Sequence, residues 1–83
     1  MTVVLDARCM TRENAHDYLK QMLRLPDWYG ANLDALHDCL TDLPETTLVI
    51  EHAAQAEEYF LRVRRVLHAA ARDNPALTVH IIQ

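Results

Sequence analysis

The chain has 83 residues, of which 51% are hydrophobic and only one is glycine. This length and composition fit one compact domain over residues 1–83 and exclude disorder and a second domain. Lys and Arg total 8 against 12 Asp and Glu, and the formal net charge of -4 disfavours nucleic acid or an anionic membrane as the main partner. Because the chain has no long apolar run, no signal-peptide pattern and only two cysteines, we expect a cytoplasmic protein with reduced thiols.

The first third of the chain predicts one strand and one helix. Residues 2–5 are apolar and β-branched and precede a polar segment, which is typical of a short buried strand. Apolar residues then recur at helical spacing, with charged residues on the other faces. This pattern predicts an amphipathic helix that Thr11 caps and that ends near Arg24.

A loop and a second helix follow. Residues 27–31 come after a proline and contain the only glycine, Gly30, which indicates an ordered loop. Asn32 is a favourable N-cap residue. Leucines at 3-4-3 spacing predict a second helix over residues 33–43 with one apolar stripe, which Pro44 ends.

The second half of the chain predicts two strands around a helical segment. Residues 46–50 and 77–82 are rich in β-branched residues, and residues 46–50 lack clean alternation, which favours burial on both faces of a parallel sheet. Residues 53–72 contain neither glycine nor proline and predict one long helix or two abutting helices. The order β-α-α-β-α-β predicts an α/β fold, with a small three-stranded parallel sheet packed with three to four helices.

Three carboxylates form the most informative local pattern. Asp34, Asp38 and Asp42 stand at positions i, i+4 and i+8 of the second helix and share one face, where like charges repel. Such a row can be a solvated surface that keeps the protein soluble. The adjacent rings of Trp28 and Tyr29, which can also be core residues, favour a protein-binding surface instead. At interface hot spots, aromatic rings supply contact area, and neighbouring carboxylates bind Arg or Lys of the partner.

Charge is distributed unevenly along the chain. No Lys or Arg lies between residues 24 and 62, although this span holds eight acidic residues. Four arginines then follow within about three helical turns, which predicts a bipolar molecule. They are Arg62, Arg64, Arg65 and Arg72. These arginines could contact nucleic acid, but no nucleic-acid-binding motif accompanies them, and pairing with Glu57 and Glu58 on the same helix is the simpler interpretation.

Residues 25–41 read Leu-Pro-Asp-Trp-Tyr-Gly-Ala-Asn-Leu-Asp-Ala-Leu-His-Asp-Cys-Leu-Thr. This segment resembles the signature of the barstar family, intracellular inhibitors of the secreted ribonuclease barnase. The family pattern is Leu-Pro, an aromatic pair, Gly, any residue, Asn-Leu-Asp-Ala-Leu, an aromatic residue and Asp-Cys-Leu-Thr. The element order, the Leu-Val-Ile-Glu segment at residues 48–51 and the C-terminal strand extend the resemblance over most of the chain.

The resemblance implies a protein that inhibits a ribonuclease by occluding its active site, without a cofactor, a metal ion or catalysis of its own. In the family the aspartate that matches Asp38 lies where the substrate phosphate would lie, and the ring that matches Trp28 stacks on an active-site histidine of the enzyme. Tyr29 is implied mainly to support the loop. The implied partner-binding residues are Trp28, Tyr29, Gly30, Asn32, Leu33, Asp34, Ala35, His37, Asp38, Thr41, Asp42 and Leu43.

The implied role is that of a cytoplasmic antidote, or immunity protein, for a basic ribonuclease that is secreted or part of a toxin. A monomer would bind this ribonuclease in a 1:1 complex. The chain differs from the family pattern because His37 replaces an aromatic residue, Asp42 a glycine and Leu43 a tryptophan. Ala69 also lies where the family has a further acidic contact. A second interpretation therefore stays open, in which the chain is a barstar-fold adaptor for another basic protein.

Other chemistry has little support in the sequence. Carboxylates four residues apart could act as acid and base, but no catalytic triad, phosphate-binding loop or zinc-helix motif accompanies them, and we predict no enzyme activity. The His and Cys residues share no spacing used in structural zinc sites. Cys39 lies close to the apolar stripe of the second helix and is predicted to be a small buried hydrophobe.

Overall fold

The computed structural model describes residues 1–83 and has the predicted order of elements. The strands and helices are β1 (Thr2–Asp6), α1 (Ala15–Leu23), α2 (Leu33–Thr41), β2 (Thr46–Glu51), α3 (Tyr59–Asp73) and β3 (Leu77–Ile81). Single turns of 3-10 helix, Ala7–Cys9 and Ala53–Gln55, follow β1 and β2. Because the three strands form one parallel sheet with β2 in the centre, the predicted α/β fold class is confirmed.

The helices cover only one face of the sheet. Leu48 and Ile50 of β2 are fully buried on the covered face. Val4, Val49 and His80 form a row across the other face, where Val4 is 50% exposed, Val49 is half-buried and His80 is exposed. The predicted burial of β2 on both faces is therefore wrong. Three helices in a chain this short form a single layer, and one face of the sheet is left open to solvent.

The first helix begins later than predicted. α1 begins at Ala15, and Thr11 instead closes a turn, because its Oγ1 accepts a hydrogen bond from the Asn14 N–H at 3.1 Å. The predicted end of the helix is confirmed. Arg24 adopts a left-handed conformation with φ of 53°, and its N–H donates to the Lys20 carbonyl, as is common at helix C-termini.

The other two helices are also shorter than predicted. α2 ends at Thr41, and Asp42, which was predicted to be helical, is its C-cap residue. The single long helix predicted over residues 53–72 is wrong, because extended backbone at Ala56 (ψ of 155°) follows the 3-10 turn. The two abutting helices are not found either, since the first part is only this turn and α3 begins at Tyr59. None of the helices is long and apolar enough to cross a membrane.

Asn74 fixes the C-terminal end of α2. Its Nδ2 donates to the carbonyls of Leu40 at 3.0 Å and Leu43 at 3.1 Å, and its Oδ1 accepts from the Ala76 N–H at 3.0 Å. The last carbonyls of a helix have no partner within the helix, so this buried amide supplies one. As a result α2 is tied to the segment that leads into β3, and its exposed face is held in place.

Candidate protein-binding site

Trp28 and Tyr29 are consecutive in the chain but occupy opposite environments. The Tyr29 N–H donates to the Pro26 carbonyl at 2.9 Å and closes a turn. Trp28 is 72% exposed, whereas Tyr29 is 7% exposed and belongs to the hydrophobic core. Trp28 is therefore available to a partner. Tyr29, predicted to be a contact residue that mainly supports the loop, is buried and has only the supporting position.

A half-buried histidine holds the loop. The Tyr29 hydroxyl is hydrogen-bonded to His16 Nδ1, and the Tyr59 hydroxyl to His16 Nε2 at 2.8 Å. Burial lowers the pKa of His16 and raises the pKa of Tyr29 to about 12. The imidazole is therefore neutral at pH 7, with one nitrogen as donor and the other as acceptor. We name these three residues the aromatic clamp, because they tie the loop to α1 and α3.

The residues just before α2 fix the start of the helix. Asn32 Oδ1 accepts from the Ala35 N–H at 2.8 Å and so caps α2, as predicted, and its Nδ2 donates to the Gly30 carbonyl at 3.2 Å. Gly30 leaves room for this amide, because a Cβ at Gly30 would lie 3.1 Å from Asn32 Nδ2. Ala31 has the left-handed backbone of the loop, with φ of 53°, which costs about 1–2 kcal/mol for a residue with a Cβ.

Asp34, Asp38 and Asp42 form an acidic face along α2. All three side chains are exposed, Asp38 to 80%. None of them forms a salt bridge with Lys or Arg, and His37 Nδ1 lies 3.8 Å from Oδ1 of Asp38. No salt bridge with Lys or Arg within the chain therefore offsets the repulsion along the row. Such a row favours contact with the cations of another molecule.

The remaining predicted contact residues divide between the surface and the core. The half-buried apolar residues that pack against the core are Leu33, Ala35 and Leu43. His37 is also half-buried, and its Nε2 is hydrogen-bonded to Asp73 of α3 at 3.1 Å. The Thr41 hydroxyl donates to the Asp38 carbonyl at 2.8 Å within the helix. Each of these side chains thus contacts the rest of the chain and is also partly exposed to solvent.

Arginines of α3 lie next to the acidic face. Because α2 packs along α3, Asp34 lines one groove with Arg62 and a second groove with both Arg62 and Arg65. The predicted separation of charge into two poles is wrong at this point, since it was based on order along the chain. The predicted pairing of arginines with Glu57 and Glu58 is also wrong, because no arginine of α3 forms a salt bridge.

Three residues that hold this surface in place carry little signal in the sequence. They are His16, Tyr59 and Asn74. The partners of His16 lie 13 and 43 residues away along the chain, and those of Asn74 lie 34 and 31 residues away. The one available signal was the position of His16 directly after the core residue Ala15, where a half-buried ring requires hydrogen-bond partners.

The two cysteines have different environments. Cys39 is buried, and burial raises the pKa of its thiol, which confirms the prediction of a small buried hydrophobe. Cys9 is exposed, and both thiols are free. No group of three or more His, Cys, Asp or Glu side chains is arranged to hold a metal ion.

The chain matches known proteins along this surface and beyond it. A protein of Bacillus subtilis (strain 168), "Putative ribonuclease inhibitor YrdF", is 50% identical to it over an alignment of 54 residues, and the alignment covers 60% of this chain and 58% of that protein. The chain thus matches somewhat more than half the length of that relative. The family Barstar (barnase inhibitor) matches residues 1–81, from β1 to the end of β3. This chain therefore belongs to the barstar family.

Proposed function

We propose that this chain inhibits a ribonuclease by covering its active site with the Trp28 loop and the acidic face of α2. The ribonuclease is of the barnase type or a toxin domain with a similar site, and one monomer of this chain binds one enzyme. The family and the name of the Bacillus subtilis relative support a ribonuclease as the partner. A cell that makes such an enzyme has to protect its own RNA, which favours the cytoplasm as the location.

The observation that carries the proposal is a fixed carboxylate without a cationic partner. Asp38 lies in the middle of α2, is 80% exposed and forms no salt bridge with Lys or Arg. A site that cleaves a phosphodiester holds cationic side chains toward the phosphate, and these can donate charge-assisted hydrogen bonds to a carboxylate. Asp38 would thus occupy the place of the substrate phosphate. No catalysis by this chain is required.

The residues around Asp38 supply contact area and steering. Trp28 presents a large exposed ring, and the aromatic clamp beneath its loop reduces the conformational entropy that binding would otherwise cost. Asp34 and Asp42 lie one turn on either side of Asp38 and extend the negative field of the surface. A field of this kind accelerates the association of an acidic inhibitor with a basic enzyme.

The test is a titration of this chain into barnase, and into any ribonuclease toxin encoded beside it, with RNA cleavage as the readout. We expect stoichiometric loss of cleavage by the unaltered chain. Asp38→Ala should weaken binding by about 2–5 kcal/mol, because the cations of the enzyme are then buried without a partner. Asp17→Ala removes the same charge from an exposed position on α1 and should have a much smaller effect.

Two outcomes would contradict the proposal. If every ribonuclease cleaves RNA at the same rate with excess chain present, the adaptor interpretation is favoured and a search for other basic partners follows. If inhibition occurs but Asp38→Ala and Asp17→Ala reduce it equally, then net charge rather than the acidic face explains the binding.

A further inference from the structure

The grooves between α2 and α3 carry charges of both signs. The groove nearer the loop, of about 630 Å³, is bordered by Asp34, Arg12 and Arg62. The next groove, of about 360 Å³, is bordered by Asp34, Arg62 and Arg65. Asp38 and Asp42 line neither groove. The binding surface is therefore divided into an anionic part along α2 and a mixed part where α2 meets α3.

Arg62 and Arg65 are free to meet another molecule. Both side chains are exposed, and neither forms a salt bridge, although Asp34 borders the same grooves. A guanidinium group presents several donors in a planar array and binds a carboxylate through two parallel hydrogen bonds. The guanidinium groups of Arg62 and Arg65 can thus bind an anionic side chain of a partner.

The same two arginines oppose a partner that is basic throughout. A Lys or Arg that approached Asp34 from α3 would meet Arg62 and Arg65 as well. At physiological ionic strength, salt largely screens such repulsion between exposed charges more than about 8 Å apart, but charges enclosed in an interface are screened much less. Like charges brought together in an interface are unfavourable and suppress the wrong partner.

We infer that Arg62 and Arg65 determine which ribonuclease this chain binds. They select an enzyme that has a carboxylate at the rim of its active site, beside the cationic side chains that meet Asp38. The inference depends on the proposed function and specifies the charge of the partner at one edge of the same surface. This arrangement of charges also orients the partner, because its carboxylate faces α3 while its cationic side chains face the middle of α2.

The experiment measures the Kd of the full chain for barnase, with Arg65→Glu, Arg62→Glu and the matched control Arg64→Glu. All three variants change the net charge equally, but Arg64 borders neither groove that contains Asp34. We expect Arg65→Glu and Arg62→Glu to bind barnase about tenfold more tightly than Arg64→Glu does. Circular dichroism of each variant checks that the fold is retained.

The second arm changes the enzyme. Each Lys and Arg at the rim of the barnase active site is replaced in turn by Glu, and binding of the unaltered chain and of Arg65→Glu is measured. We expect one enzyme variant to bind the unaltered chain about tenfold more tightly than barnase does, and to lose this gain with Arg65→Glu.

The outcomes separate this inference from the proposed function. Equal effects of Arg65→Glu, Arg62→Glu and Arg64→Glu, together with no gain for any rim variant, would overturn the inference while binding itself remained. If no pair of chain and enzyme binds at all, the ribonuclease target is contradicted, and the inference falls with it. Binding that appears only after Arg65→Glu or a rim replacement would support the inference directly.

Discussion

The polar groups on the surface of the proposed binding site and those in the aromatic clamp beneath it have opposite environments. On the surface, Asp38 has no cationic partner, and Trp28 leaves most of its ring in water. In the clamp, both ring nitrogens of His16 are hydrogen-bonded, and no buried side-chain nitrogen or oxygen anywhere in the chain lacks a partner. Polar groups without a partner in this protein are therefore confined to positions that another molecule can reach.

The contrast also explains how a small protein can keep a repulsive surface in place. The acidic face contributes nothing favourable to the stability of α2 except through Asp34 near the helix N-terminus. The Asn32 cap, the contacts of Asn74 and the clamp hold the two ends of α2 and its loop. We therefore expect substitutions in the supporting residues to affect stability and substitutions on the surface to affect binding.

The largest effect is expected from the two neighbouring aromatic residues. Tyr29→Ala should lower the free energy of unfolding by about 3–5 kcal/mol, because it leaves a cavity in the core and breaks the clamp. Trp28→Ala should change it by less than about 0.5 kcal/mol, because the ring is exposed. For binding, Trp28→Ala should cost about 2 kcal/mol or more, as expected of a hot spot. Urea unfolding and the Kd for the ribonuclease measure the two quantities.

Tyr29→Phe is the control for this pair. It keeps the ring in the core and removes only the hydroxyl bonded to His16. Tyr29→Phe should lower the free energy of unfolding by about 1–3 kcal/mol, because it leaves one polar group of the clamp without a partner. If Trp28→Ala destabilises the protein as much as Tyr29→Ala does, the division between surface and support is refuted.

A smaller effect, with a pH dependence, is expected for His16. Burial lowers the pKa of His16 in the folded chain below its usual 6.5, so the unfolded chain binds the proton more readily. The contribution of the neutral imidazole to stability is therefore complete above pH 6.5 and is lost as the pH falls toward the folded pKa. His16→Gln should lower the free energy of unfolding by about 1–3 kcal/mol above pH 7, and by less in mildly acidic solution. Urea unfolding at both pH values measures the difference.

The other titrating groups are common to both chains, so the difference between wild type and His16→Gln isolates this one residue. Asp17 is the acidic neighbour that acts in the opposite direction, because its charge raises the pKa of His16. A difference that does not change with pH would refute the neutral imidazole of the clamp.

Local patterns in the sequence predicted the order of elements and the exposed row of aspartates in the candidate site, and contacts between distant segments account for the rest. Helical periodicity, β-branched runs and the Asn32 cap depend on near neighbours, so the order of elements is confirmed. The exposed row of aspartates follows from i, i+4 spacing, which is also local. Whether β2 is covered on one face or two depends on how many helices the whole chain supplies, and its local composition does not contain that information.

The same reasoning explains the errors in the site. The clamp joins residues 16, 29 and 59, and no spacing rule connects them. The charges of α3 were predicted to lie apart from those of α2 because they are distant along the chain. In the fold α2 and α3 pack together, which brings Arg62 beside Asp34.

The smallest effect is expected at the ends of α2, where the same change can be made twice. Asp42 is the C-cap residue and no basic residue lies in the last turn, so its charge opposes the helix dipole and repels Asp38. Asp42→Asn should therefore raise the free energy of unfolding by about 0.3–1 kcal/mol. Asp34→Asn relieves the same repulsion but loses a favourable charge in the first turn, so its two effects oppose each other. Thermal unfolding should rank Asp42→Asn above Asp34→Asn in stability. Equal gains in the two variants would show that repulsion within the row outweighs the dipole, and the acidic face would then be more costly to the folded chain than its exposure indicates.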